Sequence, residues 1–260
     1  LLGTILNGLY CKGEVSALKI AQIGQYAENV YFGKPSGLLD QMASSVGGFT
    51  SIDFNDPENP IIEKVDFDIS AQGYALCVVD TGGNHADLTN EYAAIPAEMK
   101  QVAGYFGKQF LRDVDEKEFY EQIGEIRKQT GDRAVLRAMH FFDDDRLAAE
   151  EAKALRAGDF AGFQEMVLAS GRSSLQRLQN VFAVVNPQEQ GLTLALALTE
   201  KLLAGKGAWR VHGGGFAGTI QAYVPFSMLD EYRAAIEKVF GEGACYTLSV
   251  RQPGGTKVEF

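Results

Sequence analysis

The chain has 260 residues, 46% of them apolar and 22% charged, which excludes disordered and collagen-like classes. Lys and Arg number 24 against 34 Asp and Glu, a net charge of −10 with no basic run, so no nucleic-acid partner is expected and any anion site must be local. No stretch is long and apolar enough to suggest a membrane span, so no membrane partner is expected either. The three cysteines, Cys11, Cys77 and Cys245, are too scattered for a metal pair or a disulfide framework, and the simple reading is a reducing cytoplasm.

Leu1 to Tyr10 is apolar, lacks an N-cap and reads as a helix entered midway. Ser16 is placed to cap a second helix, with Leu18, Ile20, Ile23, Tyr26 and Val30 at helical spacing. Gly33, Pro35 and Gly37 break the chain, Leu38 to Val46 reads as a helix, and Gly47-Gly48 stops it. Phe49 to Phe54 alternates like a strand and ends in a turn over 56–60. Tyr74 to Asp80 is a buried strand that runs into Thr81-Gly82-Gly83-Asn84-His85.

Helices are predicted over Leu88 to Gly107, 115–130, 132–156, 159–180 and 188–205. Ala208 to His212 and Thr219 to Val224 read as strands around a glycine turn. Ser227 to Phe240 reads as a helix, and 245–260 as a hairpin. The order is mixed α+β with a long helical middle.

Four places carry candidate chemistry. Asp40 opens a helix just after the glycine-bearing loop 33–37, where the helix dipole favours a carboxylate that can orient or deprotonate a hydroxyl; it can equally be an ordinary acidic first-turn residue. Glu28 lies twelve residues earlier, at the end of the preceding helix. A short connection can fold the two carboxylates toward one cleft, where one could hold Mg²⁺, or Glu28 can be a solvated helix residue.

Gly213-Gly214-Gly215-Phe216-Ala217-Gly218 can form an anion-binding nest of backbone N–H groups, or simply a tight hairpin. Tyr92, beyond the strand end at Asp80, can present its hydroxyl to a ligand or serve as a buried structural residue. His85, His140 and His212 show no ligand spacing. Asp143-Asp144-Asp145 reads as a solvated face, and Ser173 and Ser174 have no base partner visible in the sequence.

Together these segments resemble the galactokinases of the GHMP family of small-molecule kinases. Gly33 to Ala43 is similar to the family's Gly-x-x-x-Gly-hydrophobic-x-Asp-Gln segment, and Ala27-Glu28-Asn29 to its Ala-Glu-Asn. Gly213 to Thr219 is similar to its C-terminal glycine motif, and Glu91-Tyr92 to its Glu/Lys-Tyr position. Ser36 stands where many members have Cys, Ala217 where Gly is usual, Thr219 where Cys is usual and Gly171 where His is common; residues 81–87 depart from the usual Arg/Lys-His stretch.

The resemblance implies an α+β, two-domain architecture. Residues 1–70 would be the remainder of an N-terminal ribosomal-S5-domain-2-like domain. Residues 71–260 would be a ferredoxin-like α/β-plait C-terminal domain with extra helices. It implies transfer of phosphate from ATP to D-galactose in galactose metabolism, with Asp40 catalytic, Gly37 and Tyr92 at the sugar, and Glu28 on Mg²⁺. Gly213, Gly214, Gly215 and Gly218 would lie near the nucleotide phosphates. The alternatives are a GHMP kinase for another sugar, such as N-acetylgalactosamine, and a non-catalytic sugar-sensing or interaction module.

The family's Gly-Arg-x-Asn-x-x-Gly-Glu-His and Pro-x-Gly-x-Gly-Leu-Ser-Ser-Ser-Ala motifs do not occur in these 260 residues. The chain is therefore expected to be a C-terminal portion, inactive alone. Its apolar edge at Leu1, Leu2, Ile5 and Leu6 is expected to self-associate or to take the missing N-terminal segment.

Overall fold

The computed structural model describes residues 1–33, 36–83 and 88–258. Asn84 and His85, which the sequence reading places at a strand end, and Lys34-Pro35 of the Asp40 segment lie outside the described residues. The chain divides into two compact units, Leu1–Asp68 with the tail from Ser249, and Ile69–Leu248. The sequence reading divides the chain at residue 70 and leaves the tail with the second part.

In the first unit, α1 (Leu2–Tyr10), α2 (Ala17–Tyr31) and α3 (Leu39–Val46) accompany an antiparallel pair, β1 (Phe49–Asp53) and β2 (Ile61–Val65). The Ser16 hydroxyl caps α2 by accepting from the Lys19 amide (3.2 Å), as its position predicts. The buried Asn7 side chain bonds both backbone groups of Val15 and fixes the connection between α1 and α2. Ala21, Leu38 and Met42 form the small core, with Leu18, Ile52 and Ile62 packed on it.

The tail crosses the end of α3. A Cβ on Gly47, whose φ is +71°, would stand 2.2 Å from the Gly254 amide nitrogen, and one on Gly254 would stand 2.0 Å from the Ser45 carbonyl oxygen. Two glycines meet because only backbone fits between them. This crossing takes the place of the hairpin expected over 245–260: among the described residues of that range only β6 (Cys245–Leu248) is strand, and the residues after it join the first unit.

The second unit is built on a four-stranded antiparallel sheet in the order β4 (Ala208–His212), β5 (Thr219–Pro225), β3 (Tyr74–Asp80), β6. Counted along this unit and read from the β6 edge, the order is first-strand-second, 4-1-3-2, that of a ferredoxin-like plait. Ile220, Ala222 and Val224 of β5 alternate onto one face, where they pack with residues of α8 (Gly191–Leu203) and α9 (Leu229–Phe240). Tyr223 points to the other face and meets Phe160 and Phe163 of α7 (Phe160–Ser173).

The first crossover of the plait is expanded into α4 (Thr89–Tyr105), α5 (Glu116–Thr130), α6 (Asp132–Ala157) and α7. Phe119, Ile126, Ala138 and Phe142 pack with α4 residues in a second core. The helix expected over 159–180 stops earlier. After Ser173 the chain widens into one π turn, Ser174–Leu178, closed by the Gln179 amide on the Ser174 carbonyl (2.8 Å), and Gln179 turns left-handed at φ +58°.

Candidate active site

Glu28, Gly37 and Asp40 lie in the first unit. Glu28 is in the last turn of α2, and its two carboxylate oxygens are both engaged. The Ser36 hydroxyl donates to Oε2 (2.6 Å) and the Gln41 side chain to Oε1 (3.1 Å). Ser36 is also held by its backbone: its amide donates to Asn29 (2.8 Å), and its carbonyl accepts from Gln25 (3.1 Å) and Asn29 (3.3 Å). Leu38 is buried against Met42 and Ala21.

The loop into α3 is thus fastened to α2 by polar bonds on one side and an apolar anchor on the other. Asp40 stands exposed in the first turn of α3, next to Gln41. The Oε1 of Gln41 is buried and has no hydrogen-bond partner, an orphaned acceptor beside Glu28. The residues that sequence reading missed here are Gln25, Ser36 and Gln41. Only the Asp40-Gln41 pairing gave a hint of the last.

Tyr92 and the glycine turn lie in the second unit. The turn joins β4 to β5 with Gly213, Gly215 and Gly218 at positive φ and, unusually for a non-glycine, Phe216 at +59°. Three bonds fix it. The Tyr92 hydroxyl donates to the Gly215 carbonyl (2.7 Å), the Asn180 side chain donates to the Gly214 carbonyl (3.1 Å), and the Phe216 amide donates to the Asn180 carbonyl. Tyr92 also sets its ring edge-on to Phe216, with centroids 5.2 Å apart and planes at 89°.

Burial pushes the Tyr92 phenol above its ordinary pKa, so it stays a donor. Pro96, one turn on, has no amide to offer the Tyr92 carbonyl. At the far end of the turn, the Thr81 amide and hydroxyl both donate to the Gly218 carbonyl (3.0 and 2.7 Å). Asn180 was not singled out from sequence, and nothing in its flanks marks it.

Among the described residues no three His, Cys, Asp or Glu side chains gather as a metal cage. Glu28 fits a more modest part. Mg²⁺ commonly takes one or two carboxylates and fills its octahedron with phosphate and water oxygens, and the orphaned Gln41 oxygen adds a second hard donor beside Glu28.

The acidic run at Asp143 to Asp145 is more than a solvated face. Asp143 pairs with Arg146 (2.7 Å) and Arg177, and Asp144 accepts from Ser170. Ser173 does find a partner, His140 Nδ1 at 3.0 Å, in a buried α6–α7 latch. Burial holds the His140 pKa down, with Asp144 opposing, so the imidazole is neutral near pH 7.

No protein-family model matches the chain. It is 28% identical to a galactokinase from Actinobacillus pleuropneumoniae over 85% of its own length and 55% of that protein's. It is 30% identical to a galactokinase from Streptomyces coelicolor over 92% of its length and 59% of that protein's. It superposes on the crystal structure of Lactococcus lactis galactokinase complexed with galactose with a TM-score of 0.76, at 24% identity, over 99% of this chain and 65% of that one.

By these likenesses the chain is similar to galactokinases, members of the GHMP family of kinases. It matches the C-terminal portion of galactokinases and spans little more than half the length of the curated relatives it resembles. In this chain the residues read from sequence fall in two separate units: Glu28, Gly37 and Asp40 around the α2–α3 connection of the first, and Tyr92 of α4 with the glycines of the β4–β5 turn in the second. No described helix is long and apolar enough to cross a membrane.

Proposed function

We propose that the complete protein transfers the γ-phosphoryl group of ATP to the anomeric hydroxyl of D-galactose, giving galactose 1-phosphate. The observation that carries this reading is the Glu28–Ser36–Gln41 network, which joins a potential metal carboxylate to the helix turn bearing Asp40. Asp40 orients the sugar hydroxyl and accepts its proton, and Gly37 offers its backbone to the sugar. When bound, Mg²⁺ would sit on Glu28 and neutralise phosphate charge. The glycine turn presents backbone amides toward the nucleotide phosphates. Phosphoryl transfer asks the protein mainly for positioning and electrostatics, which suits a site built of fastened loops.

In this reading residues 1–70 are the remainder of the N-terminal domain and most of 71–260 the C-terminal domain, in a cytoplasmic enzyme. The three free cysteines support that location. The phosphate-cradling loop is absent from the 260 residues, and each lost oxyanion donor in comparable sites costs about 2.7–4 kcal/mol. Residues 1–260 alone are therefore expected to show no sugar turnover. Leu1 is 85% exposed, Leu2 76% and Leu9 70%, and we take the cover of this face to be the family's N-terminal segment.

The test is a panel of sugars offered with MgATP to the complete protein, and to residues 1–260 with and without the upstream segment. Galactose 1-phosphate from the complete protein, none from 1–260, and recovery on adding the segment are expected. Preference for N-acetylgalactosamine would move the reading to another sugar. Galactose binding without turnover by the complete protein would replace it with a sensor, and concentration-dependent dimers of 1–260 that the segment does not dissolve would give the apolar face to a second copy.

A further inference from the structure

Three residues hold the carbonyls of the glycine turn, but what holds those residues lies deeper. Arg137, on α6, is 1% exposed and is the largest fully buried side chain among the described residues. Its Nε donates to the Leu178 carbonyl (3.3 Å) and its Nη1 to Glu98 Oε2 (2.9 Å). Glu98 lies on α4, the helix that carries Tyr92. Leu178 ends the π turn and stands two residues before Asn180. One guanidinium therefore ties together the supports of two of these residues, Tyr92 and Asn180.

The backbone around this junction is forced. Only three non-glycine residues among those described take a left-handed φ, and two of them lie at the bond between Asn180 and Phe216: Phe216 itself and Gln179, which precedes Asn180. Such conformations persist only where surrounding structure over-determines them. A buried ion pair is weak evidence for stability, since apolar replacements of similar volume are often neutral. Glu98 would moreover stay paired without Arg137, because Arg133 donates to both of its oxygens (3.0 and 3.2 Å from Nε). Stability alone gives no reason for a buried arginine here.

We propose that Arg137 is a positioning residue for the nucleotide-phosphate turn. It fixes Tyr92 and Asn180 relative to each other, and they in turn hold the Gly214 and Gly215 carbonyls. In a trans peptide the N–H points opposite to the preceding C=O, so tying the Gly214 carbonyl to Asn180 aims the Gly215 amide the other way, outward toward a ligand oxygen. The inference rests on the reading that this turn meets nucleotide phosphates. It assigns Tyr92 a donor role toward the turn, separate from any sugar contact.

The test uses Arg137→Met in the complete protein, with Glu98→Gln as a milder second variant should the first not fold, and Tyr92→Phe to remove one arm. Two readouts are taken: hydrogen exchange at the amides of residues 213–218 against those of β3, and separate KM values for ATP and galactose. Arg137→Met is expected to speed exchange at Phe216 at least tenfold while leaving β3 unchanged, and to raise the ATP KM at least fivefold with the galactose KM within twofold. Tyr92→Phe should move the same two quantities in the same direction, by several-fold. Unchanged exchange in the turn overturns the proposal. So does a Tyr92→Phe effect confined to the galactose KM, which would return that hydroxyl to the sugar. If the unaltered protein transfers phosphate to no sugar, the proposed function fails, and the exchange data still decide whether Arg137 sets the turn.

Discussion

Gly215→Ala puts one methyl group where the structure has least room for it. Gly215 has φ +79°, and its added Cβ would stand 2.1 Å from the Asn180 carbonyl oxygen and 2.6 Å from the Asn180 side-chain nitrogen. The left-handed conformation costs a residue with Cβ about 1–2 kcal/mol. Relieving the overlap must move Asn180, breaking its bonds to Phe216 and Gly214, each worth about 0.5–1.5 kcal/mol. The expected destabilisation is about 2–5 kcal/mol on those principles.

Gly213→Ala is the control, because Gly213 has φ +71° with nothing within 4 Å of the added Cβ. It should lose only the conformational part, about 1 kcal/mol. Urea unfolding followed by the fluorescence of Trp209, the single tryptophan and a β4 residue, reads this unit directly. With a slope of about 2 kcal/mol/M, the midpoint should fall by about 1–2.5 M for Gly215→Ala and by about 0.5 M for Gly213→Ala. Equal losses at the two positions would refute the collision with Asn180 and leave only backbone strain.

Asp40→Ala in the complete protein should lower turnover by several orders of magnitude with the fold intact, since positioning a nucleophile supplies about 7–11 kcal/mol; retention of more than a tenth of the rate would remove Asp40 from the chemistry. Glu28→Gln should shift the dependence of rate on Mg²⁺ to higher concentration, because an amide is a poorer hard-cation ligand, and an unchanged titration would make Glu28 only the anchor of Ser36. Glu151 tests the electrostatics of α6: burial pushes its carboxyl up to about 7, with Arg210 opposing and Asp144 adding, and its Oε1 lacks a partner. The folded state therefore holds a proton that the unfolded chain releases, so stability falls as pH rises from about 4.5 to about 7. Glu151→Gln should match the parent in thermal melts at pH 4.5 and exceed it at pH 8 by about 1–3 kcal/mol; a gain independent of pH would place the effect in packing instead.

Much of the fold was legible wherever local chemistry decides it. Ser16 caps α2, glycine ends α3, and the glycine run separates two strands, all for reasons contained within a few residues. β2 was not legible, since Ile-Ile-Glu-Lys-Val has no clean alternation and becomes a strand by pairing with β1. Nor was the end of α7, where no glycine or proline marks the left-handed turn at Gln179; contacts with the glycine turn impose it. The site divides the same way. Glu28 and Asp40 sit in one short connection, whereas Tyr92 and Gly215 are separated by 123 positions and Asn180 and Gly214 by 34, distances over which sequence carries no register.

Under the proposed function, the two candidate groups, one in each unit, follow one rule. The group left for the ligand is held by fastening its neighbour. The Asp40 side chain is exposed and has no hydrogen-bond partner among the described residues, while Gln41 beside it is tied to Glu28. The Gly214 and Gly215 carbonyls are tied to Asn180 and Tyr92, which directs the Gly215 amide between them without using it. This suits a chain of net charge −10, which has no diffuse positive field to gather phosphate and must rely on dipoles held in place. Dipoles of that kind act only while their orientation is fixed, so under the proposed function the fastening residues matter as much as the exposed ones. Loosening Gln41 or Asn180 should weaken the site even though neither side chain carries charge to a substrate.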